Sequence, residues 1–254
     1  MEQSNKSNNK RNGCKDVFKS FLVANCDYDG ILEIPIIRKE TAIPRELIHF
    51  SKANTSTNKK CYVHFYEDDV RFERIWNNPE RYLSTLKEYD GVISPDFSLY
   101  RDMPLVMQEW NLYRNRSIGT WLQSNGIKVI PNIRFSDKRS YAFCCLGVEK
   151  GSVVSIGTHG TLKNVRDREL FIEWLEFVVN TIEPAAIIIY GSAPDYIFKK
   201  YSEKGIKIIP FESDYSLSRK RIMQYFTVDL VKQKVHINII TIVVNLVAKV
   251  KMFK

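Results

Sequence analysis

The stretch SVVSIGTHGTLKNVRDRELFIEWLEFVVNTIEPAAIIIYG, residues 152–191, contains two short apolar runs separated by a longer helical pattern. Asp167 can cap the first turn of that helix. The two apolar runs are nearly continuous, which indicates parallel strands that are covered on both faces. The segment therefore predicts a strand–helix–strand unit of a parallel sheet. Its helix buries one stripe of residues at the three- and four-residue spacing of a single face: Phe171, Trp174, Leu175, Val178 and Ile182.

The same pattern recurs along the chain at intervals of about thirty residues, the spacing of successive βα units. One further helix is predicted to begin near Asp102 and end at Gly126, and another to begin at Pro194 and end at Gly205. With no glycine-rich phosphate fingerprint, repeated βα units predict an α/β fold, either a (β/α) barrel or partial barrel, or a doubly wound parallel sheet. The seven predicted strands are 31–37, 61–66, 91–95, 128–135, 152–158, 185–191 and 207–212.

Charge divides the chain of 254 residues into three parts, because most of the net charge of +9 lies at its two ends. We predict a polar, basic segment over 1–27, a single α/β domain over 28–214, and a basic and apolar tail over 215–254. Basic ends can add salt-dependent affinity for phosphate without reading sequence, so DNA is the predicted partner of both. The basic residues are Lys6, Lys10, Arg11, Lys15, Arg219, Lys220, Arg221, Lys232, Lys234, Lys249, Lys251 and Lys254.

Cysteine usage and the first residues predict a cytoplasmic protein. The five cysteines form no CxxC pair, and MEQSNKSNNKRNG, residues 1–13, lacks the apolar stretch of a signal peptide. The most apolar segment, residues 235–248, is interrupted by polar side chains and is short for a membrane span of roughly 20 residues. No membrane span is predicted.

Polar side chains follow several of the predicted strands at the same relative place. Because binding sites of parallel α/β folds form at the carboxyl ends of strands, these side chains are expected to converge. The candidate catalytic residues are Asp96, Asn132, Arg134, His159 and Glu212.

Two further groups have competing interpretations. Asp68, Asp69 and Asp96 offer the oxygen ligands of Mg²⁺ or Mn²⁺, although Asp68 and Asp69 also suit the N-terminus of a helix. Arg114 and Arg116 can bind phosphate or carboxylate, or form ion pairs with Glu109 or Asp102. The chain has no GxxxxGK[ST], GxGxxG, HExxH or GxSxG motif, so no nucleotide cofactor is indicated.

Four short motifs resemble the core of a family of proteins of unknown function found in bacteria and in their phages and plasmids. They are PDFS (95–98), YRDMP (100–104), WNLYRNR (110–116) and KVIPN (128–132), and the resemblance runs from about residue 28 to about residue 214. It implies a small mobile genome as the setting. A basic protein in that setting suggests a role in replication.

Three functional hypotheses follow. The leading one is a replication-associated DNA-binding protein of a phage or plasmid, with metal-dependent nicking as its enzymatic form. The second is a (β/α) enzyme that acts on a small phosphorylated or carboxylated substrate. The third is an interaction protein that targets a host component.

Overall fold

The computed structural model describes residues 16–220 and Met223. Within residues 16–211, nine strands and five α-helices alternate along most of the chain. The strands are β1 (Tyr28–Asp29), β2 (Ile34–Pro35), β3 (Leu47–His49), β4 (Tyr62–His64), β5 (Gly91–Ile93), β6 (Val129–Ile130), β7 (Val153–Gly157), β8 (Ala186–Tyr190) and β9 (Lys207–Phe211). The helices are α1 (Asp69–Asn77), α2 (Glu80–Leu86), α3 (Leu105–Ser124), α4 (Val165–Ile182) and α5 (Asp195–Glu203).

Strands β3 to β9 are parallel and follow one another in chain order. One ladder joins β3, β4, β5 and β6, and a second joins β7, β8 and β9. Just beyond β6, Ser155 of β7 donates its amide to Pro131 O and accepts from the amide of Ile133, which connects the two ladders. Among the described residues no ladder joins β9 back to β3, so the barrel is open. The α/β fold of repeated βα units is confirmed.

Alternating residues of these strands divide between an inner and an outer face. In β8, for example, Ala186 and Ile188 join the inner cluster, whereas Ile187 and Ile189 pack among residues of the helices. The inner face draws on every parallel strand, as expected of a sheet that curves around a shared interior. The inner cluster contains Tyr62, Ile93, Ile130, Val153, Ala186 and Ile188, with Leu47, Tyr66, Ile209 and Phe211 packed against it.

The prediction that residues 31–37 form a strand of the parallel sheet is wrong. Only Ile34–Pro35 forms a strand there, and it pairs antiparallel with β1. Pro35 has no amide hydrogen to donate, which limits the ladder that this segment can form. The parallel sheet begins instead at β3, whose three residues are too few to show a period in the sequence.

The predicted helices differ from the structure mainly at their first turns. Helix α4 begins at Val165 and its cap is Asn164, which accepts from the amide of Asp167, so the prediction of Asp167 as the cap is wrong. Helix α3 begins at Leu105, after Pro104 rather than at Asp102. Helix α5 begins at Asp195, one residue after the predicted Pro194, which is its N-cap. The helix ends and the α4 stripe are confirmed: all five stripe residues are buried, and Gly126 and Gly205 adopt the positive φ of helix ends.

The chain forms two compact units, residues 1–211 and 212–254. The predicted boundaries at 28 and 214 stay predictions. Residues 214–220 are helical, whereas the basic residues before Asp16 and the apolar segment 235–248 lie outside the described residues. No helix within the described part is both long and apolar enough to cross a membrane.

Arg116 is the polar centre of the first unit. Its side chain is fully buried, yet it faces backbone carbonyls rather than a carboxylate. The guanidinium donates to Leu146 O at 2.9 Å, to Asn132 O at 2.9 Å and to Cys144 O at 3.1 Å. Burial lowers the pKa of Arg116 to about 10, so the group stays charged at neutral pH.

Asn115 extends this network from α3 to the end of β5. Its Oδ1 accepts from Arg116 at 2.8 Å and from Ser94 Oγ at 2.8 Å, and its amide donates to Pro95 O. Ser94 Oγ in turn accepts from the backbone amide of Asn132 at 2.8 Å. Asn115 and Arg116, which are adjacent on α3, therefore hold the backbone just after β5 and just after β6.

We expect Arg116→Met to lower the free energy of unfolding by about 3 kcal/mol or more, because it leaves several buried oxygen acceptors without a donor. Denaturant titration of the full chain measures this, with Arg81→Met on the exposed surface of α2 as the matched control. Equal stability of the two variants would contradict the structural role of Arg116.

Candidate functional site

Asp96, Asn132 and Arg134 meet beyond the carboxyl ends of β5 and β6. Asp96 Oδ1 accepts from Asn132 Nδ2 at 2.7 Å, and Asp96 Oδ2 forms an ion pair with Arg134 Nη1. Asp96 is 7% exposed, whereas the Arg134 side chain keeps 35% of its surface. The structure thus brings together three of the five predicted catalytic residues, with the carboxylate of Asp96 buried and the Arg134 side chain partly exposed.

Tyr66 and Ser155 extend this cluster across the inner face. Tyr66 donates its hydroxyl to Asn132 Oδ1 at 2.9 Å, and it lies 2.6 Å from Ser155 Oγ. Sequence reasoning missed both residues. The available signal was alternation, since Tyr66 lies four residues after the inward-facing Tyr62, and Ser155 two residues after the inward-facing Val153.

Burial dominates the electrostatics of the cluster. It raises the pKa of Asp96 from 3.8 to about 6, against the opposing effects of Arg134 and the hydrogen bond from Asn132. The pKa of Arg134 is raised overall, because the nearby charges of Asp96 and Asp69 outweigh the lowering by burial. Near neutral pH, Asp96 can therefore both give up and accept a proton beside a permanent cation.

Asp69 lies close enough to raise the pKa values of Asp96 and Arg134, although its carboxylate is hydrogen-bonded to Ser98. It accepts from the Ser98 amide at 3.0 Å and from Ser98 Oγ at 2.7 Å. Asp68 occupies the N-cap position of α1, but its side chain accepts no hydrogen bond from the backbone amides of the helix. Within the described residues, no three His, Cys, Asp or Glu side chains are grouped to hold a metal ion, and the predicted Mg²⁺ or Mn²⁺ site stays a prediction.

Arg114 and Arg116 serve the packing of α3. Arg114 pairs with Glu73 at 2.5 Å, donates to Asn111 at 2.6 Å and lies 4.0 Å from the centre of the Phe97 ring. These partners replace the ion pairs with Glu109 or Asp102 that the sequence suggested, because Arg114 finds its carboxylate on α1, at Glu73, and bonds to the amide oxygen of Asn111 on its own helix. Binding of phosphate by this pair stays a prediction.

The last two predicted catalytic residues are His159 and Glu212. His159 is exposed in the turn after β7. Glu212 begins the second compact unit and pairs there with Lys220. Their catalytic roles remain untested predictions.

Comparison with known proteins places the chain among phage relatives. A family model described as "Domain of unknown function (DUF4417)" matches residues 26–212. "Gene 1 protein" of Mycobacterium phage L5 is 35% identical over 162 residues, which cover 63% of this chain and 71% of that protein. "Gene 1 protein" of Mycobacterium phage D29 is 34% identical over 165 residues, covering 63% of this chain but 60% of that protein, which is less than two thirds of its length. No solved structure matches the chain significantly.

The raised pKa of Asp96 predicts a pH-dependent difference in stability between the protein and its Asp96→Asn variant. The fold favours the protonated carboxyl, so the stability that Asp96 contributes falls as pH rises from 3.8 towards about 6. Between about pH 4 and pH 7.5, the free energy of unfolding should shift by about 2 kcal/mol in favour of the variant. Denaturant titrations at both pH values test this.

Asp90→Asn, which neutralises an exposed carboxylate next to β5, is the matched control. A pH-independent difference between the protein and Asp96→Asn would show that the Asp96 carboxyl titrates normally.

Proposed function

The chain belongs to the DUF4417 family, and from that premise we propose that its activity is that of a (β/α) enzyme with a small phosphorylated or carboxylated substrate. In this proposal Arg134 binds the anionic group and Asp96 transfers a proton. The observation that carries it is the pairing of a buried carboxyl, whose pKa is raised to about 6, with the guanidinium of a partly exposed arginine at the carboxyl edge of parallel strands.

The chemistry of each residue supports its assigned role. A guanidinium can bind an oxyanion through two parallel hydrogen bonds, and the ion pair of Arg134 Nη1 with Asp96 holds the arginine beside the proton-transferring carboxyl. A general acid or base works best when its pKa lies near the operating pH, as that of Asp96 does. Asn132 holds the carboxyl from the other side, and Tyr66 holds Asn132, so the pair is fixed before a substrate arrives.

We expect Arg134→Gln to weaken the binding of inorganic phosphate by about tenfold or more, because it removes the cation that faces the anion. Isothermal titration calorimetry of the full chain measures the affinity for phosphate, and a panel of phosphorylated and carboxylated metabolites then extends the measurement.

Arg81→Gln is the control, since it removes an exposed arginine from α2. Equal losses in the two variants would indicate general electrostatic attraction. Phosphate binding that is unchanged in Arg134→Gln would remove Arg134 from the site.

The charge distribution favours a second candidate function, a phage-type DNA-binding protein with a role in replication. Most of the net charge of +9 lies in the two ends, and the relatives reported above come from phages. In this proposal the basic ends hold the DNA backbone, and metal-dependent nicking would use Mg²⁺ or Mn²⁺ with Asp68, Asp69 and Asp96 as its ligands.

If the ends bind DNA, affinity should fall by tenfold or more between about 50 and 200 mM salt, because binding releases counterions. The double variant Lys232→Gln/Lys234→Gln should weaken binding similarly for all sequences. Fluorescence anisotropy with single- and double-stranded oligonucleotides measures both effects.

A matched variant, Lys87→Gln/Lys138→Gln, removes two exposed lysines from within the first unit. No binding at low salt would end the DNA proposal. With Mg²⁺ or Mn²⁺ present, nicking of supercoiled DNA that persists in Asp96→Asn would exclude Asp96 from a metal site.

A further inference from the structure

A second group of ionisable side chains lies at the carboxyl edge of the sheet, at the ends of β3, β4 and β8. Its three members are Glu67, His49 and Tyr190. The Nδ1 atom of His49 lies 3.8 Å from Glu67 Oε2, and the Nε2 atom of the same ring lies 3.3 Å from the hydroxyl oxygen of Tyr190. The imidazole of His49 therefore lies between a carboxylate and a hydroxyl, with an electrostatic contact on one side and a hydrogen bond on the other.

The carboxylate determines how the imidazole is used. Glu67 is fixed because its Oε1 accepts from the Ser51 amide at 2.8 Å, and its side chain is only 5% exposed. A carboxylate on the Nδ1 side favours the tautomer that carries its hydrogen there. In that tautomer the Nε2 lone pair faces Tyr190 and can accept the proton of the phenol, as in hydroxyl–imidazole–carboxylate triads.

Ring packing holds Tyr190 in place. The rings of Tyr190 and Tyr66 are stacked, with centroids 4.7 Å apart and an interplanar angle of 7°. His64 lies on another side of Tyr190, at 4.6 Å between centroids. Burial and the neighbouring His49 lower the pKa of His64 well below its usual value, so His64 is a neutral wall near neutral pH.

Tyr66 connects this group with the first one. It stacks on Tyr190 and donates to Asn132, which holds Asp96. The stacked rings of Tyr66 and Tyr190 therefore connect the two groups of ionisable side chains on the inner face of the open barrel.

We propose that Glu67, His49 and Tyr190 form an acid–base relay whose working atom is the Tyr190 hydroxyl oxygen. This inference rests on the proposed enzyme function and narrows its substrate class to small anions that also carry a hydroxyl or carbonyl oxygen. Tyr190 gives its proton to that oxygen while protonated His49 returns a proton to Tyr190. The O–H bond of the substrate forms, the N–H bond of His49 breaks, and His49 is left neutral beside Glu67.

The test uses methanesulfonyl fluoride, a compact reagent that modifies tyrosines activated by a neighbouring base. The Tyr190 oxygen attacks sulfur, the sulfur–fluorine bond breaks, fluoride leaves, and the phenol proton passes to His49. We expect Tyr190 of the full chain to be modified about tenfold faster than the exposed Tyr196, because general-base assistance outweighs the burial of Tyr190. Peptide mass spectrometry over time gives both rates in one sample.

Variants separate the relay from simple accessibility. Glu67→Gln should slow modification of Tyr190 by about tenfold, and His49→Gln should remove its advantage over Tyr196 altogether. His64→Gln is the matched control, since it changes a histidine that packs on the rings of both Tyr190 and His49 but is not a member of the relay, and it should leave the rate within about twofold.

Thermal unfolding confirms that each variant is folded. If His49→Gln does not fold, two measurements still test the relay. They are the rates of Tyr190 and Tyr196 in the unaltered protein, and the rate of Tyr190 in Glu67→Gln. A Tyr190 that reacts no faster than Tyr196, or equally fast in Glu67→Gln, overturns the relay. Such a result in a protein that binds phosphate through Arg134 would leave the proposed function standing.

Discussion

The buried guanidinium of Arg116 is the interaction on which the geometry of the site depends. Carbonyl oxygens from two different loops point into the interior beside α3. A buried carbonyl oxygen without a hydrogen-bond donor lowers the free energy of unfolding, so each of them needs one. Arginine supplies several donors in a fixed plane, which a lysine could not match. Because one of these acceptors is the carbonyl of Asn132, and Asn115 holds the end of β5, the same network determines where Asp96 and Asn132 stand relative to each other.

The inner face then determines which side chains reach the site. Alternation along β4 places Tyr62 in the apolar interior and Tyr66 at the polar edge, and alternation along β7 does the same for Val153 and Ser155. The alternation of side chains along the strands thus supplies both the apolar interior and the polar groups at the carboxyl edge. Burial, which stabilises the interior, also raises the pKa of Asp96.

The sequence predicted what depends on local periodicity and missed what depends on distant partners. Six of the seven parallel strands, and the meeting of Asp96, Asn132 and Arg134, followed from apolar runs and from the rule that sites form at carboxyl ends. Strand β3 is too short to show a period. The partners of Arg114 and Arg116 could not be read either, since helical spacing does not say which face of α3 meets α1 or the loop before β7. Glu67 and Tyr190 are more than a hundred positions apart in the chain, so no local sequence pattern could predict that both lie next to His49.

The two proposed functions make different physical demands and belong to different parts of the chain. Attraction to DNA needs many positive charges near phosphates, and such charges are concentrated before residue 16 and after residue 214, while the residues between them are close to neutral overall. Proton transfer needs few charges, held rigidly in a place where burial shifts their pKa, and that describes Asp96 beside Arg134. Binding of the DNA backbone by the ends does not require Asp96 or Arg134, whereas metal-dependent nicking would share Asp96 with the proton transfer. DNA binding by the ends would therefore leave the role of the carboxyl edge to be explained, and the proton-transfer chemistry of Asp96 is an explanation that does not involve DNA.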